Sequence, residues 1–168
     1  MEKAKKKMSE EAAFARLSQL CAQSEHCVSD MRRKMDAWEL PDGAEERIIS
    51  RLLAEKFIDE ARYARAYVAD KFRDNKWGKQ RIVRGLRLKG ISQEVAERAA
   101  AGIDGEASEN TLEQLLRNKL KTVKGKSDYE VFMKLLRFSV GRGFSPDEAH
   151  RSLTKILKNP PEDIDFLN

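Results

Sequence analysis

Residues 59–91 read DEARYARAYVADKFRDNKWGKQRIVRGLRLKGI, and the reading of this stretch decides the fold. Tyr63, Ala64, Tyr67, Val68 and Phe72 recur at spacings of three and four, which places them along one side of an α-helix. Asp59 stands before them as an N-cap. Asn75-Lys-Trp-Gly78 interrupts the pattern, and a second helix fits Gly78 to about Leu88. At about 100° per residue its Ile82, Val83 and Leu86 cluster on one side. Gln80, Arg81, Arg84 and Arg87 then lie on the outward arc. Gly90 offers the left-handed backbone that often follows a helix. Ser92 caps a third helix, with Val95, Ala99 and Ala100 as a small apolar side. The unit is three helices.

Working outward, the same layout recurs on both sides. Upstream, Glu11 to about Cys21 carries Phe14, Leu17 and Leu20 at helical spacing. Ser29 is the expected cap of a helix with Met31, Met35 and Trp38 on one side. Pro41 is expected at the start of a third, which carries Ile48, Ile49, Leu52 and Leu53. Downstream, Ala107-Ser108 opens a helix with Leu112, Leu115, Leu116 and Leu120, and Tyr129 to Val140 forms the next. Ser145-Pro146-Asp-Glu148 has capping-box spacing with proline in the first helical position. Leu40-Pro41, Ile91-Ser92 and Phe144-Ser145 occupy matching joints, 51 residues apart (40 to 91) and then 53 (91 to 144). Gly90 matches Gly143, and Ala96 matches Ala149.

The expected fold is therefore all-α: three tandem three-helix repeats forming an elongated, curved array. The repeats are drawn at residues 11–57, 58–104 and 105–158, after a disordered basic N-terminus at 1–10 and before an acidic tail at 159–168.

Composition agrees with this and excludes several classes. The 168 residues are 40% hydrophobic and 36% charged, with only four prolines and nine glycines, a balance that suits helices. No run of 18 apolar residues is present, so no membrane partner is expected. The basic start lacks an apolar signal core, and a cytoplasmic monomer is the expectation. Cys21, Cys27 and His26 are too few for a disulfide scaffold or a four-ligand zinc site. The chain has no G-x-x-x-x-G-K-[ST] loop, and neither His26 nor His150 has a nucleophile beside it in an exposing turn. No catalytic residue, metal or cofactor is assigned, and the chain is not expected to be an enzyme.

Charge supplies the functional signal. The net charge is +5, but its distribution says more than its sum. Between Lys71 and Gly90 there are eight basic residues and a single acid, Asp74, whereas Ile91 to Glu113 holds six acids against Arg98. The candidate binding residues, for a protein partner or for DNA phosphate, are Lys76, Lys79, Arg81, Arg84, Arg87 and Lys89. Arg32, Arg33 and Lys34 form a smaller analogue in the first unit, and Lys134, Arg137 and Arg142 one in the third. Arginine on the arc suits forked recognition of carboxylate or phosphate. Tyr63, Tyr67, Phe72 and Trp77 are assigned to the core rather than to base stacking.

Three phrases resemble the RecX family, the bacterial regulators of the RecA recombinase. The central one is Asp59-Glu-Ala-Arg-Tyr63-Ala-x-x-Tyr67-Val followed by Trp77-Gly78-x-x-Arg81-Ile82-x-x-x-Leu86-x-x-Lys89-Gly90-Ile91. Glu25-His26-Cys27-Val-Ser-Asp30-Met-Arg-Arg-Lys34-Met35 is similar to an early family phrase in which Ser usually stands where this chain has Cys27. Leu135-Leu-Arg-Phe-x-x-x-Arg142-Gly143-Phe144-Ser145 is similar to a closing one. The resemblance covers about residues 12–157. It implies binding to the RecA filament on single-stranded DNA and inhibition of its ATPase and strand exchange. The family provides no binding residues to carry over. The competing reading is a protein acting directly on single-stranded or duplex DNA, with helix-turn-helix-like repeats and Gln80, Arg84 and Arg87 as base-edge candidates.

Overall fold

A computed structural model of the protein describes residues 4–161. The described residues form nine helices in three sets of three, so the fold is all-α, with tandem three-helix repeats. The first set is α1 (Glu10–Gln23), α2 (Val28–Met35) and α3 (Ala44–Ala54). The second is α4 (Glu60–Arg73), α5 (Lys79–Leu88) and α6 (Gln93–Ala100). The third is α7 (Gly105–Leu120), α8 (Asp128–Gly141) and α9 (Pro146–Ile156). Compactness divides the chain differently from the sequence repeat. Among the described residues one unit takes 4–67 together with Leu86–Ala99; the other takes Val68–Gly85 and 100–161. The second repeat is thus shared between them.

In the first unit α1 and α2 pack on α3. Their apolar faces meet in a core that includes Phe14, Leu17, Met31, Met35, Ile48 and Leu52, all buried. The helix spacing of these positions is the cause: a stripe repeating every three to four residues has to find a second stripe to leave water. Phe57 closes one end, its ring edge-on to Phe14 with centroids 5.9 Å apart. In the second unit α7, α8 and α9 pack on one another around Leu112, Leu116, Phe132, Leu135, Phe144 and Leu153.

Several local expectations need correction. The N-terminus is ordered before residue 10: β1 (Lys6–Lys7) runs parallel to β2 (Trp38–Glu39), and the Met8 N–H donates to Glu39 O at 3.1 Å. Lysine-rich composition hid the reason, which is that Met8 packs against the core while the lysines stay exposed. The expected disorder of residues 1–3 and the tail from Glu162 onward lie outside the described residues. Ser29 does not cap α2. Cys27 holds that position, and the Asp30 carboxylate accepts from its N–H at 3.3 Å. Pro41 does not begin α3 but a turn before it, with Gly43 preceding the helix at φ 71°. Helix α7 starts earlier than expected, because Asp104 accepts from the Ala107 N–H. The capping roles of Asp59, Ser92 and Ser145 stand as read, with Ser145 and Glu148 completing a capping box.

Candidate functional site

The basic residues read as one arc are sorted by the structure into two kinds. Arg84 and Arg87 are exposed on α5, beside Leu88, which is 84% exposed and the most open large apolar residue described. Lys76 is exposed, Lys79 half-buried at the start of α5, and Arg33 and Lys34 exposed on α2. Among the described residues none of these six cations has an ion-pair partner. Arg87 also donates to Ile91 O at 2.8 Å, tying it to the end of its own helix.

Arg32, Lys89 and Arg81 are engaged within the protein. Arg32 reaches Glu45 and Glu46 at 2.7 Å each, which raises its own affinity for the proton and removes it as a free cation. Lys89 Nζ lies 2.9 Å from Asp30 Oδ1, with the Asp30 side chain only 16% exposed. Arg81 lies across the Trp77 ring, 4.2 Å from its centroid, and donates to Gly141 O at 3.3 Å. In the third repeat, Lys134 pairs with Glu130 at 3.1 Å and Arg137 is exposed. Arg142 turns inward and donates to Asn75 O at 2.5 Å. Trp77, expected in the core, is half-buried between Arg81 and Lys71, whose Nζ is 5.0 Å from the ring centre. Tyr63 is buried as expected, and Tyr67 and Phe72 are half-buried.

These inward-turning cations mark a joint that is built twice. In the first unit the Lys89–Gly90 turn docks on the N-terminus of α2, where the Ser29 hydroxyl donates to Lys89 O at 2.8 Å. In the second unit the Arg142–Gly143 turn docks on the N-terminus of α5. There the N–H groups of Gly78 and Gln80 donate to the carbonyls of Arg142 (2.8 Å) and Gly143 (3.0 Å). A helix start leaves such donors without intrahelical partners, so the two carbonyls satisfy groups that would otherwise be lost to burial. The chains approach so closely that a Cβ on Gly78 would sit 2.4 Å from the Gly143 carbonyl group. The Trp-Gly pair read as a helix break is therefore a docking surface. Sequence reading left Arg142 at the margin and missed Asn75 and Gly141. The available signal was the repeat itself, which aligns Arg142 with Lys89.

Asp30 gives the first joint a pH dependence. Burial works against its charge, but hydrogen bonds from Lys89 and from Cys27 outweigh it, and the carboxyl is held below its usual range. A carboxyl lowered on folding contributes stability above its unfolded value near 4 and loses it as pH falls through the folded value. Asp30→Asn is therefore expected to melt below the parent chain at pH 7, by about 2 kcal/mol for a half-buried charged hydrogen bond. The gap should narrow steadily below about pH 4. Paired thermal melts across that range test it, and a gap independent of pH would remove the carboxylate from the joint.

By its fold this is an all-helical protein of tandem three-helix repeats with basic residues on its exposed surface and at both of the joints described. The family model described as "RecX, second three-helix domain" matches residues 59–99. The regulatory protein RecX of Mycolicibacterium vanbaalenii is 31% identical over 128 residues, covering 73% of this chain and 70% of that protein. That of Streptomyces lividans is 26% identical over 140 residues, covering 83% and 73%. A crystal structure of a regulatory protein RecX superposes with a TM-score of 0.79 at 20% identity, over 87% of this chain and 71% of the other. RecX from Lactobacillus salivarius gives 0.77 at 17% identity, over 88% and 96%. The chain belongs to the RecX family. Among its described residues no helix is long and apolar enough to cross a membrane.

Proposed function

We propose that this protein binds the RecA recombinase filament on single-stranded DNA and lowers its ATP hydrolysis and strand exchange. The observation that supports this reading is kinship with proteins named as regulatory, across most of the chain's length. The charge pattern fits it. A filament groove offers protein carboxylates and DNA phosphates together, and the unpaired cations are suited to both. Arg84 and Arg87 on α5, Lys76 and Lys79 at its start, and Arg33 and Lys34 on α2 are the proposed contacts. The same reading makes the protein a cytoplasmic monomer, working where the recombinase works.

The experiment measures DNA-stimulated ATP hydrolysis by RecA with this protein added at stoichiometric and lower ratios. Hydrolysis should fall, and Arg84→Glu combined with Arg87→Glu should weaken the effect by about tenfold, or 1.4 kcal/mol, while helicity is kept and stability falls only by about 1 kcal/mol for the lost Arg87–Ile91 O bond. No effect at any ratio, together with tight binding to naked duplex, would favour direct action on DNA instead. Inhibition by the double variant equal to that of the parent chain at moderate salt would put the contact elsewhere.

A further inference from the structure

The two joints correspond position for position, and they differ in one respect that matters. Gly90 and Gly143 both adopt left-handed backbone, at φ 84° and 98°. Each is followed by a fully buried apolar residue, Ile91 or Phe144, and preceded by a cation, Lys89 or Arg142. On the opposing side Cys27 and Gly78 stand immediately before α2 and α5, and three residues further on come Asp30 and Arg81. The first joint sets Asp30 against Lys89. The second sets Arg81 against Arg142.

That second joint is short of an anion. Gly143 touches Arg81 closely, since a Cβ on the glycine would lie 2.3 Å from Arg81 Cβ, so the backbone segments that carry Arg81 and Arg142 are held together, and the charge of Arg81 reaches Arg142. Each guanidinium carries five donors. Arg81 spends one on the Gly141 carbonyl and Arg142 one on that of Asn75, both neutral acceptors. The buried Nε of Arg142 has no hydrogen-bond partner. Among the described residues no carboxylate forms an ion pair with either arginine. Burial, and then the charge of Arg81, makes Arg142 easier to deprotonate than an ordinary guanidinium.

We propose that the joint formed by Trp77-Gly78, Arg81 and Gly141–Gly143 is an oxyanion site, and that a phosphate group enters beside Arg81 and Arg142 in the role that the Asp30 carboxylate has in the first joint. Phosphate suits it better than a carboxylate. Two arginine charges call for more negative charge than one carboxylate carries, and a phosphate has acceptor oxygens enough to take donors from more than one arginine. The first joint carries its acid within the chain and is complete at neutral pH; the second becomes complete only when a phosphate is supplied. The phosphate can arrive free or as part of a nucleic-acid backbone, and the chemistry of the site is the same for both.

The test uses the full chain without recombinase, so its failure would leave the proposed function standing. Thermal unfolding is followed in chloride and in millimolar inorganic phosphate at equal ionic strength. At tenfold above half-saturation the parent chain should melt about 3–6 °C higher in phosphate. Arg81→Asp recreates the charge pair of the first joint. It also gives up the Trp77 and Gly141 contacts of Arg81, so its readout is the response to phosphate: it should gain nothing from it, which also measures any general salting effect. Arg142→Gln, which keeps a donor for Asn75 O, should likewise lose the response and decides the matter if the aspartate variant does not fold. Equal melting of the parent chain in the two salts, or an undiminished gain in either variant, overturns the site. A short single-stranded oligonucleotide that binds the parent chain but neither variant identifies the backbone as the source. Phosphate stabilisation that the oligonucleotide neither reproduces nor competes with identifies free phosphate.

Discussion

Phe144→Ala is expected to destabilise the protein by about 4 kcal/mol and to lower its melting temperature by roughly 8–16 °C. Phe144 is fully buried and belongs to the core formed with Leu112, Leu116, Phe132 and Leu153. Its N–H is also used, donating to Ser139 O at 3.2 Å, so the backbone cannot readily shift to fill the space that truncation would leave. The same position in the other repeats provides a graded series. Ile91 is fully buried and smaller, so Ile91→Ala should cost about 3 kcal/mol. Leu40 is only half-buried, which should reduce the cost of Leu40→Ala to about 1 kcal/mol. Denaturant melts of the three variants test the order. Equal losses at all three positions would mean that burial of the joint residue does not set the stability of each repeat.

Gly143→Ala should cost about 3 kcal/mol or more, against about 1 kcal/mol for Gly90→Ala. Both glycines have φ in the left-handed region, so each variant carries the same backbone penalty. They differ in surroundings. Nothing lies within 4 Å of a Cβ added at Gly90, whereas one added at Gly143 would be 2.3 Å from Arg81 Cβ and 2.7 Å from its backbone nitrogen. Those neighbours belong to a helix start and cannot swing aside as the end of a flexible side chain would. The melting difference between the two variants therefore isolates the closeness of the second joint from the strain common to both. Variants that melt alike would show that the Arg142–Gly143 turn does not dock tightly on α5.

Much of this architecture was legible in the chain. Apolar residues three and four apart in Ile48-Ile49-x-x-Leu52 and Leu112-x-x-Leu115-Leu116 mark helices without ambiguity, and Ser92 and Ser145 cap where a small hydroxyl before an apolar-periodic stretch is expected. Errors fell where a local signal had two readings. Ser29 and Cys27 are both small side chains near a helix start, and only the docking of Lys89 O on the Ser29 hydroxyl shows why the serine lies inside the first turn instead of capping it. Lys5-Lys6-Lys7 reads as a tail because its side chains bury nothing, yet its backbone pairs with Trp38–Glu39, a partner some thirty residues away that periodicity cannot reveal.

The candidate site divides along the same line. The chain alone determined that α5 is basic, that arginine predominates on its outward arc and that Gly90 and Gly143 are equivalent, because these follow from residue type and spacing. Only the tertiary structure decided which cations remain free. An arginine on a helix surface has reach enough to turn toward solvent or toward a neighbouring turn, and the choice depends on the carbonyls and rings within that reach. Arg84 finds none of them and stays exposed. Arg81, three residues earlier on the same helix, meets Trp77 and Gly141 and turns inward. Spacing along one helix is local information. The company that Arg81 keeps includes a carbonyl 60 residues away in the chain, and that contact distinguishes a surface charge from a joint.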